Sequence, residues 1–330
     1  MRPIIGITMG DVAGIGPEII IKALSNEKVY SLCHPIVIGD VSILEKHEKI
    51  INSGLGFHSI ENVEEAKFIY GTIDCLDLNL FTDDIEFGKI SPRAGNAAYQ
   101  YIYKAVDLTK KGEIQAICTA PLNKAALAKG GHSYPGHTEI LADLTETSEY
   151  SMMLSSPNLK VIHLTTHVGI KEAIDLITPK RTETIIHLAD RVLKSAGNKK
   201  PKIAVCGINP HAGENGLFGE SEEEEKLIPA IERAQAEGID VSGPHAADTL
   251  FFRAFRGEFD IVIACYHDQG HIPIKLLGLE EGVNITVGLN HGVIRTSVDH
   301  GTAFDIAGKN IADSRSMIAA IEAAVELVPK

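Results

Sequence analysis

Several features that would place this chain in a well-defined class are missing from its sequence. It contains no apolar stretch close to the roughly 20 residues that a membrane-spanning helix needs, so we expect no membrane partner. It contains neither GxSxG nor GxxxxGK[ST], the local sequences of α/β serine hydrolases and P-loop proteins. Positive charge is also scarce, because 31 Lys and Arg residues face 44 Asp and Glu residues and give a net charge of −13. That balance argues against a nucleic-acid binder, although a small pocket in an acidic protein can still be basic.

The cysteines form no recognisable framework. The five of them are scattered with no CxxC pair, and an odd number without regular spacing is typical of proteins from a reducing compartment. Cys118, Cys206 and Cys265 lie in apolar runs, where we expect them to act as small core residues. The N-terminal sequence MRPIIGITMGD leads directly into a predicted strand and a glycine turn and lacks the features of a signal peptide. We therefore expect a cytoplasmic protein.

Predicted strands and helices alternate along most of the chain, which is the pattern of an α/β fold. A length of 330 residues exceeds what most single cores accommodate and suggests two lobes. The segment 221–238 is expected to be a helix that starts with a capping box of Ser221 and Glu224 and that Pro229 kinks or splits. The acidic run Glu222–Glu225 within it is expected to be a solvated face. Other helices are predicted at Pro17–Leu24, Ser91–Lys110, Thr138–Thr145 (capped by Thr138), Thr182–Ser195 and Ser314–Val328.

Three histidines each follow an apolar run of the kind expected for a buried parallel strand. In an open α/β sheet, ligands bind beyond the carboxyl ends of the strands. Three neutral imidazoles can hold a divalent cation and leave one position for water or substrate, so the pattern favours metal-assisted chemistry on a small molecule. With 14 histidines in the chain, an accidental placement stays open at this point. His163, four residues before the first of the three, lies deeper in its strand and is expected to pack or to support a ligand. The three are His167 after 160–166, His211 after 202–209 and His267 after 260–266.

Three further features contain residue types that bind anions. Gly10–Glu18 (GDVAGIGPE) lies between a strand and a helix, but its spacing is not GxGxxG, which disfavours a standard Rossmann dinucleotide site and leaves a structural turn as the alternative. His137 and Thr138 fall at the N-terminus of a predicted helix, where a phosphate or carboxylate binds well, although a plain N-cap has the same signature. Lys275 and Arg295 are the best candidates for clamping an anionic substrate, with ordinary surface charge as the alternative.

A series of long motifs follows one another along nearly the whole chain: GDVAGIGPE, TAPLNK, YPGHTEILA, HLTTH, NPHAGE, ADTLF, YHDQGH, GVNIT and IRTSVDHGTAFDIAG. In these motifs the chain resembles the 4-hydroxythreonine-4-phosphate dehydrogenase (PdxA) family of vitamin B6 (pyridoxine) biosynthesis. ITMGD, HAGENGLFG and HDQGHIPIKLLG make it more similar to the catabolic branch of that family, the 4-phospho-D-threonate and 4-phospho-D-erythronate 3-dehydrogenases. Between Gly288 and Ile294 the chain has LNHGV, including His291, where the family usually has a shorter, Pro-containing link, so we expect the loop before Arg295 to differ.

The resemblance implies an α/β fold of two α/β/α lobes with a central cleft, as in isocitrate and isopropylmalate dehydrogenases. The expected lobes are 1–130 with 296–330, and 131–295, the latter with the metal and substrate residues. The resemblance also implies a homodimer whose active sites are shared at the subunit interface. Each site would hold one divalent metal, zinc first with magnesium or cobalt as alternatives, and one metal ligand would come from the partner subunit. The implied metal ligands are His167, His211 and His267, and the implied substrate contacts are His137, Thr138, Lys275, Asn284 and Arg295.

The reaction that the resemblance implies is the NAD-dependent oxidation of a 4-phosphorylated four-carbon hydroxy acid at C3, followed by decarboxylation, with NADP as the alternative cofactor. The substrate would be 4-phosphohydroxy-L-threonine, 4-phospho-D-threonate or 4-phospho-D-erythronate. We expect Asp268 and Asp248 to position water, a cation or a substrate amine, and Lys275 to assist proton transfer; no residue is assigned to the nucleotide. Two rival functions are a three-histidine metal-dependent hydrolase of a phosphorylated small molecule and a non-catalytic sugar-phosphate-binding protein.

Overall fold

The computed structural model of the chain describes residues 2–81, 85–277 and 282–329, and these form two compact units. The first unit comprises Met1–Ser148 and Leu289–Val328, and the second comprises Glu149–Gly288. Strands and helices alternate in both, which confirms the α/β class predicted from the sequence. Within the described ranges, we find no helix that is both long enough and apolar enough to cross a membrane.

The first unit contains a parallel sheet of six strands among the described residues. Its order is β3-β4-β2-β1-β5-β12, where β1 is Ile4–Thr8, β2 His34–Gly39, β3 Gly56–Ile60, β4 Thr72–Asp77, β5 Ala116–Thr119 and β12 Arg295–Val298. The central strand β1 is almost entirely apolar, and both Ile5 and Ile7 are fully buried. Parallel strands that are covered on both faces have this near-continuous apolar character, and it is why the sequence predicts them well.

Helices of the first unit pack on this sheet in two groups. One group comprises α4 (Pro92–Lys110), α5 (Lys124–Lys129) and α6 (His137–Leu144), with α4 against β1, β2 and β5. The other comprises α1 (Gly16–Leu24), α2 (Glu27–Leu32), α3 (Val41–Ile51) and α12 (Arg315–Leu327), with α12 against β1, β5 and β12. The predicted start of the long helix is confirmed, because Pro92 is the first residue of α4 and the Ser91 hydroxyl accepts a hydrogen bond from the Ala94 N–H (3.3 Å).

The second unit contains a mixed sheet with the order β11-β6-β7-β10-β8-β9. Its strands are β6 (Ser151–Ser156), β7 (Leu159–His163), β8 (Ile203–Cys206), β9 (Val241–His245), β10 (Ile261–Ala264) and β11 (Val283–Val287). β6 runs antiparallel to both β11 and β7, whereas β7, β10, β8 and β9 are parallel to one another. The three strands that precede the candidate metal ligands are therefore neighbours, and their carboxyl ends lie along one edge.

Five helices cover this second sheet in the described part of the unit: α7 (Ile170–Leu176), α8 (Pro179–Ser195), α9 (Ile228–Ala236), α10 (Ala247–Phe255) and α11 (His267–Leu277). α8 and α10 both pack on β7, β8 and β10, and α11 packs on β6, β7 and β10. Because α11 follows β10 after only two residues, its first turn lies at the carboxyl edge of the sheet.

The segment 221–238 is helical as predicted but differs from its prediction at the start. A single π-helical turn, Glu223–Leu227, runs directly into α9, and Pro229 is the second residue of α9, so the α-helical pattern is interrupted just before the proline and the helix is not split in two. The capping box is wrong, because Ser221 has a left-handed backbone (φ 71°) and makes no cap. The solvated acidic face is also wrong for Glu223, which is 1% exposed. Its carboxylate binds backbone groups of another loop, a contact that has no local sequence signature.

The boundaries between the units lie after Ser148 and after Gly288, and not at 130/131 and 295/296 as expected from the sequence. His137, Thr138 and Arg295 therefore belong to the first unit. Long-range packing explains the difference, because α6 packs on α4 and because Arg295 begins β12, which pairs with β5.

Candidate active site

His167 and His267 lie side by side at the carboxyl edge of the second sheet. His167 follows β7 and His267 begins α11 after β10, and their ring centres are 5.8 Å apart with 45° between the planes. They border a cavity of about 530 Å³ that is lined by residues 166–170, Ala173 and residues 266–268. The structure thus brings two of the three candidate metal ligands together at a pocket large enough for a small molecule.

Polar side chains fix the ends of the strands that carry these two histidines. The Thr165 hydroxyl donates to the Cys265 carbonyl (2.8 Å), which ties the end of β7 to the end of β10. Gln269 accepts a hydrogen bond from the Cys265 N–H (2.6 Å) and donates one to the Gly207 carbonyl (2.8 Å), which ties β10 to β8. Arg181 donates to the Leu164 carbonyl (3.0 Å). None of these three side chains was predicted from the sequence, although Thr165 and Gln269 stand within two residues of a candidate ligand.

His267 is oriented by its neighbour Asp268. The Nδ1 atom of His267 lies 2.7 Å from Oδ1 of Asp268, and since a carboxylate only accepts, Nδ1 carries the proton. The lone pair of a neutral ring is then on Nε2, the arrangement usual for a metal-binding histidine whose other nitrogen donates to a carboxylate. Asp268 was expected to position water, a cation or an amine; its observed contact is with the imidazole.

His211 lies on an exposed, strained turn at the end of the neighbouring strand β8. It is the second residue of the 3₁₀ turn Pro210–Gly213 and has a left-handed backbone (φ 53°), as does Ala212 (φ 54°). Conformations of this kind cost roughly 1–3 kcal/mol each in residues other than glycine and persist only where the surroundings enforce them. The buried Glu223 carboxylate supplies that enforcement by accepting hydrogen bonds from the N–H groups of Ile208 (2.9 Å) and Asn209 (2.7 Å).

The imidazole side chains are of a type that binds divalent metals, but the described residues of one chain do not bring three ligands together. Among the residues that the structure describes, no three His, Cys, Asp or Glu side chains form a group that could hold a metal ion. His167 and His267 fit as two ligands of one ion, since neutral imidazole nitrogen is a preferred ligand of zinc and related cations. His211 lies at the same edge of the sheet but does not join them in such a group. The three-histidine metal site thus stays a prediction.

Two more imidazoles stand behind His267. His271 stacks on His267 with ring centres 3.6 Å apart, and His163 lies 4.7 Å from His271. His163 is fully buried and donates from Nδ1 to the Met152 carbonyl (3.2 Å), so it packs inside the unit as the sequence predicts. Burial, helped by the charge that His271 can carry, lowers the pKa of His163 to about 3 and keeps its ring neutral.

A second group of candidate substrate-binding residues lies in the first unit around Arg295. Its guanidinium, which is 3% exposed, donates to the Thr119 hydroxyl from Nε (3.1 Å) and Nη2 (2.9 Å). Burial lowers the pKa of Arg295 to about 10, so the group stays charged at neutral pH. His137 lies near enough that, after burial itself, this charge lowers its pKa further, and its Nε2 atom is buried with no hydrogen-bond partner. The buried guanidinium suits a phosphate or carboxylate. His137 is neutral and makes its hydrogen bond to the Ala120 backbone through its other nitrogen, so its Nε2 carries a lone pair that suits a donor such as a hydroxyl group.

The helix that starts here differs slightly from its prediction. α6 begins at His137, one residue earlier than expected, and Gly136 occupies the N-cap position with no side-chain cap. Thr138 is therefore inside the first turn and is not the cap. The first-turn N–H groups of a helix carry partial positive charge, which adds to the positive charge of Arg295.

The loop before Arg295 is anchored at Asn290. Asn290 donates from its backbone to the Thr147 hydroxyl (2.8 Å) and from its side chain to the Glu146 carbonyl (2.8 Å). This anchors the turn Asn290–Gly292, in which His291 is exposed and has a left-handed backbone (φ 59°). Arg295 lies three residues after this turn and is buried.

The remaining candidate residues lie on three different elements of the second unit. Lys275 lies on α11, two turns beyond His267, and is half-buried. Asp248 is exposed in the first turn of α10, a helix that contacts the turn carrying His211. Asn284 lies on β11, opposite Leu154 of β6. Their catalytic and substrate-binding roles stay predictions.

The glycine motif near the start of the chain forms a packed turn. Gly10 has a left-handed backbone (φ 70°), and a Cβ atom there would lie 2.3 Å from the Pro121 carbonyl oxygen. Asp11 donates from its backbone to that same oxygen (2.9 Å). This packing favours the structural explanation of Gly10, whose turn supports the loop that follows Thr119.

Comparison with known proteins decides the family. The family described as "Pyridoxal phosphate biosynthetic protein PdxA" matches residues 31–324. The chain belongs to the PdxA family. This PdxA-family chain is 58% identical over 328 residues to the D-threonate 4-phosphate dehydrogenase of Cupriavidus necator, with 99% of this chain and 98% of that protein covered. The family predicted from the sequence motifs is confirmed.

Solved structures agree with the family. The 4-hydroxythreonine-4-phosphate dehydrogenase of Burkholderia phymatum is 57% identical and has a TM-score of 0.92, with 100% of this chain and 99% of that chain covered. A terephthalate 1,2-cis-dihydrodiol dehydrogenase of Burkholderia xenovorans is 27% identical and has a TM-score of 0.71 over 99% of this chain and 98% of that one. All three relatives are named as dehydrogenases, which supports an oxidoreductase. The names of the two more similar relatives give a phosphorylated hydroxy acid as their substrate.

Proposed function

We propose that this protein oxidises a 4-phosphorylated four-carbon hydroxy acid at C3 with NAD as the hydride acceptor, and that the product then loses CO2. D-Threonate 4-phosphate is the favoured substrate, because the similarity to a dehydrogenase of that compound extends over 99% of the chain at 58% identity. 4-Phospho-D-erythronate and 4-phosphohydroxy-L-threonine are the alternatives, and NADP is the alternative cofactor. We also propose that the protein is cytoplasmic and forms a homodimer.

The observation that carries the proposal is the imidazole pair at the 530 Å³ cavity, with His267 already in the tautomer that leaves Nε2 as a ligand. A hydrolase would need only a metal-bound hydroxide, but the named relatives are dehydrogenases, which disfavours it. A non-catalytic binding protein would have no need for imidazoles held in this way.

A divalent ion, with zinc first and magnesium or cobalt as alternatives, would act as a Lewis acid that makes the C3 hydroxyl easier to oxidise and the resulting keto acid easier to decarboxylate. His167, His211 and His267 are proposed to hold it, with one of them supplied by the partner subunit. Asp268 keeps the ring of His267 in the orientation and tautomer that binding requires.

Substrate recognition is proposed for Arg295, His137 and Thr138. The guanidinium and the first turn of α6 together present positive charge to a phosphate or carboxylate, and the buried Nε2 of the neutral His137 ring is proposed to accept a hydrogen bond from a hydroxyl group of the substrate. Lys275 and Asn284 are proposed as further substrate contacts, with Lys275 also assisting proton transfer. Asp248 is proposed to position water or a polar group of the substrate. These last roles rest on the family resemblance.

The experiment that tests the substrate is a comparison of the three phosphorylated acids with purified protein, NAD and a divalent cation, followed by NADH absorbance. We expect D-threonate 4-phosphate to have the highest kcat/KM. Turnover of 4-phosphohydroxy-L-threonine alone would instead assign the protein to vitamin B6 biosynthesis. If phosphate is released with no NADH, the hydrolase is correct, and if substrate binds with no turnover at all, the binding protein is correct.

A further inference from the structure

The stacked histidine pair at the start of α11 has a geometry that the proposed chemistry does not yet use. His267 and His271 are four residues apart and therefore lie on the same side of the helix. Their rings are nearly parallel, with 11° between the planes and 3.6 Å between the centres. The Nδ1 atom of His271 lies 2.9 Å from the carbonyl oxygen of His267, so it donates a hydrogen bond to that oxygen. Two separate contacts thus join His271 to His267.

His271 is held in this position from behind. It is 7% exposed, and the fully buried His163 ring lies 4.7 Å from it at 47°. The glycine at position 270 permits this close packing, because a Cβ there would lie 2.3 Å from Nε2 of His163 and 2.8 Å from Cγ1 of Val161. The helix can therefore press against β7 and place His271 between a core ring and the candidate metal ligand.

Without a constraint on its face, the exposed ring of His267 could rotate about its Cβ–Cγ bond even while Asp268 binds its Nδ1 edge. Asp268 holds only that edge of the ring, and its own side chain is 74% exposed. A buried ring stacked on the face of His267 restricts that rotation, because the two planes would have to separate or clash. Hydrogen-bonded partners that orient metal-binding histidines typically lower metal affinity 10–100-fold when they are removed. A stacked ring acts on the same variable, the orientation of the ligand, so we expect an effect of the same order.

We infer that His271 is a positioning residue, whose stacked ring fixes the plane of His267 so that Nε2 of His267 is presented to the divalent ion. The inference rests on the proposed function, because it requires that His267 be a ligand. It assigns the effect to the flat ring of His271 and not to its hydrogen bond. His271 acts through His267 and has no contact of its own with the reacting atoms.

Two substitutions separate the two contacts of His271. His271→Phe keeps a flat ring of similar size and removes the Nδ1 donor. His271→Asn keeps a donor near the position of Nδ1 and removes the ring. His47→Leu is the control, because His47 is also buried (1% exposed), donates to a carbonyl one turn earlier in the same way, and lies in the first unit. Thermal unfolding of each variant shows whether it is folded.

The probe is Co²⁺ titrated into the metal-free full-length protein and followed by its visible absorption. We expect His271→Asn to bind Co²⁺ about 10–100-fold more weakly with an altered spectrum, and excess Co²⁺ to restore its NADH formation. His271→Phe and His47→Leu should stay within about threefold of the unmodified protein in affinity. Wild-type affinity of folded His271→Asn, or a loss confined to His271→Phe, would overturn the inference. Failure of the unmodified protein to bind Co²⁺ would instead contradict the proposed metal site on which the inference rests.

Discussion

The guanidinium of Arg295 lies on the hydroxyl of Thr119, with Nε and Nη2 at 3.1 and 2.9 Å from the one oxygen atom. Thr119 is the last residue of β5 and is fully buried, and Arg295 is the first residue of the neighbouring strand β12. A charged side chain that enters the core in this way needs acceptors that fix its direction. The threonine hydroxyl therefore contributes to aiming the positive charge that we propose for anion recognition.

Thr119→Val tests that contribution, because valine has nearly the same shape and no hydroxyl. The loss of a buried hydrogen bond to a charged group costs roughly 1.5–3 kcal/mol. If half or more of that loss appears in substrate binding, KM for the phosphorylated acid should rise about tenfold with kcat within about twofold. Thr182→Val is the control, since Thr182 is also fully buried with a bonded hydroxyl (3.1 Å to the Lys226 carbonyl). Equal KM values for the two variants would contradict the role of Thr119.

The sharing of metal ligands between subunits is testable with three inactive variants, His167→Ala, His211→Ala and His267→Ala. Each should lose NADH formation, and His211→Ala should keep its thermal stability because the side chain is exposed. When the variants are mixed in pairs under conditions of subunit exchange, a hybrid regains one intact site only if its two substitutions fall in the same site and leave the other site whole.

One ligand from the partner subunit therefore predicts that two of the three pairwise mixtures regain activity, and the mixture that stays inactive identifies the two ligands of one chain. Because His167 and His267 are neighbours within one chain, the mixture of His167→Ala with His267→Ala is especially informative. It shows whether this neighbouring pair belongs to the same site. Recovery in none of the mixtures would place all three ligands on the same chain.

Asp11 should make the folded state less stable as pH rises. Burial raises the pKa of this fully buried carboxyl from 3.8 to about 6, against the opposing effect of a hydrogen bond from the Ala13 N–H. A pKa that is higher in the folded state favours the protonated form, so stability is greatest below pH 3.8 and falls as pH rises through about 6. At about 1.4 kcal/mol per pKa unit, the loss is on the order of 3 kcal/mol.

Asp11→Asn removes that titration. Between pH 4.5 and pH 7.5, the free energy of unfolding of the unmodified protein should fall further than that of Asp11→Asn. Urea denaturation of both proteins at the two pH values measures this difference. Asp305→Asn, at an exposed position, is the control and should show no such difference. A parallel pH dependence of Asp11→Asn and the unmodified protein would show that this carboxyl is not the cause.

Glu223 should stabilise the turn that carries His211. Its Oε1 accepts from the Ile208 and Asn209 N–H groups, and its Oε2 accepts from the Asn209 side chain (3.0 Å). In Glu223→Gln the new amide would face that donor, so we expect a loss of about 2 kcal/mol or more in unfolding free energy and a lower kcat/KM. Glu224→Gln, one residue later and exposed, is the matched control. Normal stability together with full activity in Glu223→Gln would show that the turn does not need this residue.

The elements of the fold that the sequence predicts are those with a local physical cause. The runs before His167, His211 and His267 are apolar and β-branched, and each overlaps an observed strand, β7, β8 or β10. A π-helical turn interrupts the helix just before Pro229, which has no N–H to donate. The edge where ligands bind could be located for the same reason, since it depends only on strand direction.

What could not be predicted depends on contacts between distant residues. Glu223 looks like one of four solvated glutamates, and only its contact with Ile208, 15 residues earlier, makes it a buried support. Thr119 and Arg295 are 176 residues apart. The assignment of His137 and Arg295 to the first unit follows from packing on α4 and pairing with β5, which no local pattern encodes.

The measurement that tests the central claim most directly is NADH formation from D-threonate 4-phosphate and NAD, recorded with a saturating chelator and again after a divalent cation is restored. We expect NADH to form together with an equal amount of CO2. Both products should be lost with the chelator and should return with zinc, cobalt or magnesium. Undiminished NADH formation in metal-stripped protein would contradict the role proposed for His167, His211 and His267, and no NADH under any of these conditions would contradict the dehydrogenase itself.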